Sequence, residues 1–161
     1  MIIRQVRMDD FGEIFDIEEA NFSEEEAASP QALQERIAII PDTFLVAELS
    51  GRVVAYLVGP AKADRYLTDD LFEHVDPNPA AGGFIQIQSL SVAPKYQGQG
   101  LGTALLAALK DLALAQERQG ISLTCHAELI PYYEMNGFRD EGLSDSQHGG
   151  QTWYNLVWEN R

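Results

Sequence analysis

The chain has 161 residues, 45% of them apolar, which is the size of one domain (1–161) with material for a sizeable core. Its 25 acidic residues against 11 Lys and Arg give a formal charge of −14. That balance speaks against nucleic acid and against an anionic membrane surface, since both are bound through clustered Lys and Arg.

The N-terminal Met-Ile-Ile-Arg-Gln-Val-Arg has neither the apolar run nor the cleavage site of a leader, and no stretch approaches the roughly 18 apolar residues of a membrane span. A cytoplasmic location is expected. Ile2 to Arg7 alternates as a short strand. Asp10 followed by Glu13 marks a helix start, and Phe11, Ile14 and Phe15 carry helical spacing to about Asn21. Ser29-Pro30 predicts a second start, with Leu33, Ile37 and Ile40 as the apolar stripe and Pro41 as the stop. Thr43–Leu49 and Val53–Gly59 read as a hairpin across Ser50-Gly51. Residues 60–82 are polar, contain three prolines and are too long for a turn, so this connection is expected to be functional or flexible. Gly83 to Val92 is the next strand. Leu101, Leu105, Ala108, Leu112 and Ala115 define a helix over 101–118. Ile121–Cys125 reads as a strand, Leu129–Asn136 as a short helix closed by Gly137, and Phe138 and Gln151–Trp158 as the last strands. The expected order is β-α-α-β-β-β-α-β-α-β-β, an α/β (α+β) chain with a mixed sheet of about six or seven strands and about four helices.

The charge is uneven. Met8 to Glu35 holds ten acids and no Lys or Arg, whereas Pro77 to Lys110 holds no acid at all. An acidic chain that clears acid from one segment leaves room there for an anion. Inside that segment lies Gln97-Gly98-Gln99-Gly100-Leu101-Gly102, between a strand and a helix. Closely spaced glycines let the backbone turn sharply and approach a ligand, and the first N–H groups of a helix have no intrahelical partner. The arrangement is a pyrophosphate cradle made of main-chain donors. No Lys-Ser/Thr follows it, so it is not a P-loop, and it lies too late in the chain for a dinucleotide fingerprint.

Gln97, Gly100 and Gly102 form the Gln-x-x-Gly-x-Gly pattern with which the GNAT N-acetyltransferase superfamily binds acyl-CoA, and the chain resembles that superfamily over nearly its whole length. Within it, Ala20–Glu24, Arg65–Thr68, Gln86–Val92, Leu129–Tyr133 and Asn136–Phe138 are similar to the arylalkylamine (serotonin-type) branch. The resemblance implies acetyl-CoA as cosubstrate. It implies that main-chain groups of Leu90, Ser91 and Val92 pair with the pantetheine arm, and that Gln97, Gly98, Gln99, Gly100, Gly102 and Thr103 hold the pyrophosphate. Tyr133 matches the tyrosine that protonates the departing CoA thiolate. A main-chain N–H of the splayed central strand would polarise the thioester carbonyl. The Phe22–Glu26 loop and the 60–82 connection would cover the acceptor.

That branch carries two histidines on the central strand as a proton relay, and here those positions are Gln86 and Gln88. An amide orients an amine or a water but accepts no proton near neutrality. The base is therefore expected to be water or His126, which follows the 121–125 strand and whose side chain titrates in the useful range. Phe22, Glu24, Tyr66, Gln86 and Gln88 are the expected acceptor-site residues. Cys125 is expected to be a buried strand residue, and His74 and His148 to be solvated loop residues with no metal role. The expected function is transfer of acetyl from acetyl-CoA to a small primary amine, cationic or arylalkyl, by a monomer or homodimer. The alternatives are a protein N-terminal or lysine acetyltransferase and a non-catalytic acyl-CoA-binding module.

Overall fold

Helices α1 (Phe11–Asn21) and α2 (Pro30–Ile39) follow strand β1 (Ile2–Gln5) in the computed structural model, which describes residues 1–146 and 148–160. The side chain of His148 lies outside that description. Asp10 does not box with Glu13; it accepts from the Arg7 N–H at 2.7 Å and pairs with Arg4 in a short turn before α1. The second start behaves as its sequence dictates. Ser29 Oγ accepts from the Ala32 N–H at 3.0 Å, and Pro30 opens the helix where an N–H is dispensable.

Strands β2 (Phe44–Leu49) and β3 (Arg52–Val58) form the expected hairpin, with Ser50 and Gly51 both at positive φ, as a primed two-residue turn requires. The 60–82 connection is more ordered than its composition suggests. It contains a two-residue strand, β4 (Ala61–Lys62), and a helical turn over Asp69–Phe72. Arg65 ties it to Glu141 and Glu159 at 2.6 and 2.8 Å, and the buried Arg118 holds the oxygens of Pro79 and Gly82 at 2.8 and 3.0 Å.

The strand expected from Gly83 to Val92 is two strands. β5 (Phe84–Gln86) pairs in parallel with β7 (Gly120–Cys125), while β6 (Ser89–Val92) pairs antiparallel with β3. The switch takes one residue: the Ile87 N–H donates to Ser122 O and the Gln88 N–H to Val58 O, both at 2.8 Å. Two sheets result, β1-β2-β3-β6 and β4-β5-β7-β9-β8, with β8 at Arg139–Leu143 and β9 at Tyr154–Glu159. They diverge at this fork, and among the described residues β6 has a strand partner along only one edge. Helix α3 (Leu101–Ala115) packs Leu105, Leu106 and Leu109 on a core shared by both sheets, against Leu57, Ile85, Leu123 and Leu156. Helices α1 and α2 cover the opposite face of the first sheet with Ile14, Ile17, Leu33 and Ile37, against Phe44, Val46 and Tyr56. The short helix α4 (Ile130–Met135) lies beside β8 and β9. No helix among the described residues is long and apolar enough to cross a membrane.

Candidate active site

Two hollows open at the fork, and Phe22 lines both. The first is a groove along the free edge of β6. Ala93 donates its N–H to Val54 O, so in this antiparallel ladder Ser91 and Ser89 turn their main-chain groups to β3 while Leu90 and Val92 turn theirs to the groove. At its far end the chain climbs into α3 through Gly98 and Gly100, at φ 79° and 82°. A side chain at Gly100 would strain that left-handed turn, which leaves the first amides of α3 uncovered. Leu90, Ser91, Val92, Gln97, Gly98, Gly100, Gly102, Thr103 and Tyr133 all line the groove; Gln99 is exposed beside it.

Two loop residues have structural work of their own. Gln97 Nε2 donates to Val92 O and to Asn21 Oδ1, at 3.0 and 3.2 Å, and Asn21 donates in turn to Val92 O at 2.7 Å. The loop is thereby clipped to β6 and α1. A Cβ on Gly102 would lie 2.5 Å from Tyr132 Oη, so a larger residue there would displace the Tyr132 hydroxyl.

Tyr133 stands where α4 meets the groove, with its ring edge-on to Tyr132 and Phe138 at 5.1 and 5.8 Å. It is 8% exposed. Burial, then Cys125 and Tyr132, push its hydroxyl above its ordinary range, so it is a neutral donor at any physiological pH. Burial foremost pushes the Cys125 thiol up to about 12, as expected of an inert strand residue.

The second hollow, of about 250 Å³, lies between α1, α2 and the fork. Phe22, Phe72 and Trp153 give it aromatic walls, Glu25, Glu26 and Glu73 are acidic and exposed, and Gln88, Ser89 and Thr124 approach from the sheets. Gln88 Nε2 donates to Leu71 O at 2.6 Å, and its Oε1 is buried with no partner among the described residues. Glu18 and Arg36 also line it, and each is nearly inaccessible to solvent. Glu18 accepts from the Ala28 N–H at 2.7 Å, from the Tyr56 hydroxyl, and from Ser89 Oγ at 3.4 Å.

Other expected acceptor residues fall elsewhere. Glu24 is exposed and outside the lining, and its neighbours Glu25 and Glu26 take that place. Gln86 is buried at 1% exposure and spends its amide on Asp64 O and Tyr66 O, fastening the connection above it. Tyr66 lines a separate cleft, where its hydroxyl meets Glu141 at 2.6 Å. His126 is stacked on Trp153, ring centroids 4.2 Å apart, with Nδ1 3.3 Å from Thr152 O; it stands behind the cavity wall rather than in it. His74 is exposed and pairs with Asp76 and Glu35. No group of metal-ligating side chains occurs among the described residues. The sequence reading passes over Glu18 and Arg36. The signal was present: Glu18 follows Ile14 by four residues and Arg36 follows Leu33 by three, so both charges sit at apolar-face spacing.

Comparison with known proteins bears on the family and the fold. The profile described as Acetyltransferase (GNAT) family matches residues 11–138. A curated relative, GCN5-related N-acetyltransferase 2, chloroplastic, from Arabidopsis thaliana, is 36% identical over 70 residues, which are 42% of this chain but 25% of that protein. The chain thus matches about a quarter of that relative's length. Among solved structures, the GphF GNAT-like decarboxylase in complex with isobutyryl-CoA superimposes with a TM-score of 0.78 at 18% identity, over 100% of both chains. Ard1 from Thermoplasma volcanium gives 0.73 at 17% identity, over 99% of this chain and 97% of that one. The ribosomal-protein-S18-alanine N-acetyltransferase from Escherichia coli gives 0.71 at 17% identity, over 98% and 92%. At these identities the structural likeness concerns the fold.

Proposed function

The chain belongs to the acetyltransferase (GNAT) family, and on that premise we propose that it transfers acetyl from acetyl-CoA to a small primary amine. The observation that carries this reading is that one groove joins three features: the free edge of β6, the left-handed Gly98–Gly100 turn into α3, and the buried Tyr133. Main-chain groups of Leu90 and Val92 would hold the pantetheine arm as an added strand, and the loop amides with Thr103 would hold the pyrophosphate.

The amine enters the second hollow as its ammonium ion, drawn by Glu25, Glu26 and Glu73. Aromatic contact with Phe22, Phe72 and Trp153 suits an aryl or alkyl substituent, in keeping with the arylalkylamine resemblance. Gln88 Oε1 is the acceptor available to orient the amine N–H. Once deprotonated, the nitrogen attacks the thioester carbonyl, the C–N bond forms and the C–S bond breaks. A main-chain N–H at the fork steadies the carbonyl oxygen. Water takes the amine proton, since His126 is turned onto Trp153 and Thr152. Tyr133 protonates the thiolate.

A protein N-terminus or lysine is the alternative acceptor, and one of the solved structures of similar fold is by name a ribosomal-protein-S18-alanine N-acetyltransferase. The pinned 60–82 connection over a small hollow favours the free amine. Thiol release from acetyl-CoA across a panel of amines and N-terminal peptides tests the assignment. Turnover with peptides alone would replace the small amine, and CoA binding without any turnover would make the chain a non-catalytic module.

A further inference from the structure

Arg36 sits in the last turn of α2, 4% exposed, and is the one cation among the described residues that line the acceptor hollow. Its single hydrogen bond among the described residues is a long one, from Nη2 to Phe72 O at 3.4 Å. No carboxylate among those residues comes within 4.0 Å of it. Glu18, on the same wall, already serves Ala28, Tyr56 and Ser89. Glu35 next in sequence is turned to the Val75 N–H at 2.9 Å and to His74. Glu18, and less so Glu35, act on it through space without bonding to it, so most of its five donors are left for whatever enters the hollow. The space in front of it is the acceptor hollow itself.

We propose that the acceptor carries a carboxylate as well as its amine, and that Arg36 binds that carboxylate while the amine is presented at the fork beside Gln88 and Ser89. The substrate class is then the free amino acid or a similar amino carboxylate. This deepens, and rests on, the reading of the hollow as the acceptor site. The charges fit a zwitterion: acids at Glu25, Glu26 and Glu73 meet the ammonium, and the deep guanidinium meets the carboxylate in a charge-assisted, bidentate way. The transfer itself is unaltered. The amine nitrogen gains the acetyl carbon, sulfur loses it, CoA leaves as the thiol, and one proton in net is released to solvent. A monoamine of the same shape leaves Arg36 unpaired, which is how the site discriminates.

The test uses acceptor pairs that differ only by the carboxylate: alanine and ethylamine, leucine and isopentylamine, phenylalanine and phenethylamine. For at least one pair the amino acid should exceed the amine in kcat/KM by roughly 10- to 100-fold, the range of a hydrogen bond to a charged group. Arg36→Met should bring that ratio close to one while leaving CoA affinity unchanged. Its melting temperature should stay near that of the wild type, because among the described residues the only hydrogen bond lost is the long one to Phe72 O. Equal kcat/KM within every pair, or an Arg36→Met protein that melts well below the wild type, would overturn the inference and make Arg36 a structural residue. If no pair releases thiol, the transferase reading fails separately. Calorimetry of the CoA complex with N-acetylphenylalanine and N-acetylphenethylamine then decides on Arg36: Arg36-dependent preference for the carboxylate upholds it, and no preference or no binding refutes it.

Discussion

Gln88 donates its side-chain amide to the main-chain oxygen of Leu71 at 2.6 Å, so the residue at the exit of the fork also fastens the segment that roofs the acceptor hollow. Gln86 does the same to Asp64 and Tyr66. Where the arylalkylamine branch has a proton relay, this chain has two clamps.

Gln88→Leu should therefore weaken the acceptor and leave the cosubstrate alone. The substitution removes one bond to the roof and the free Oε1 in the hollow, at similar volume. A loss of about 1 kcal/mol, or a several-fold to tenfold rise in KM for the amine, is expected. Affinity for CoA, measured by calorimetry, should not move. A variant with unchanged KM would remove Gln88 from acceptor binding.

Gly100→Val tests the phosphate cradle. No atom crowds a Cβ at this position, so the cost arises from φ, 82°, which a β-branched residue resists. Relief of that strain rotates the peptide and turns the first amides of α3 away from the groove. CoA affinity should fall at least tenfold while the far-ultraviolet spectrum keeps its wild-type form. Affinity at the wild-type level would sink the cradle.

The glycine loop, the two helix starts and the hairpin are legible in the sequence because each is specified by residues a few positions apart. The division of Gly83–Val92 is not. Its residues suit a strand throughout, and the break at Ile87–Gln88 arises because Ser122 and Val58 compete for successive N–H groups. The roof escapes for the same reason. Its ties join Arg65 to Glu141, 76 positions later, and no local pattern announces them. Glu18 and Arg36 stand out only when their spacing is set against Ile14 and Leu33. The resemblance pulled the acceptor expectation toward Glu24 and Tyr66, one of which faces solvent and the other a neighbouring cleft.

The roof's anchor makes a pH prediction. Arg65 donates to Glu141 from Nε and Nη2 at 2.8 and 2.6 Å, and this, more than Tyr66, holds the Glu141 carboxyl at about 2 against an ordinary 4.5. A carboxyl whose value is depressed on folding stabilises the fold fully above its unfolded value, and that contribution fades as pH falls toward the folded one. Glu141→Gln should cost about 1–2 kcal/mol at pH 7 for a pair only partly shielded from water. The gap from wild type should narrow steadily below about pH 4.5. Urea titrations at pH 7, 5, 4 and 3 follow it, and a gap that stays constant across that series would mean that the ion pair is not what Glu141 contributes.

Tyr133 bears the chemical step in the proposed reaction. Its hydroxyl is a neutral donor, raised further by burial, and the departing thiolate has an affinity for protons like that of a free thiol, near 8.5. The tyrosine is the weaker acid, so as an isolated step the transfer is uphill; it proceeds when it is coupled to breaking of the C–S bond and the donor lies against the sulfur, and Tyr133 lines the groove. Tyr133→Phe keeps the ring and its edge-on contacts to Tyr132 and Phe138, and removes only the oxygen. Stability should change little and CoA affinity by no more than about twofold, since the loop and β6 hold the cosubstrate. The rate of acetyl transfer in a single turnover should fall by about 10²–10⁴, the span of a positioned general acid. Single-turnover measurement isolates chemistry from product release, so a wild-type rate there would take Tyr133 out of the mechanism. The pH profile supplies the second check. With the hydroxyl held above its ordinary range, the wild-type rate should show no alkaline decline from this residue up to about pH 10. A decline below that point, absent in the Phe variant, would place Tyr133 in a more exposed setting than the one that makes it a proton donor.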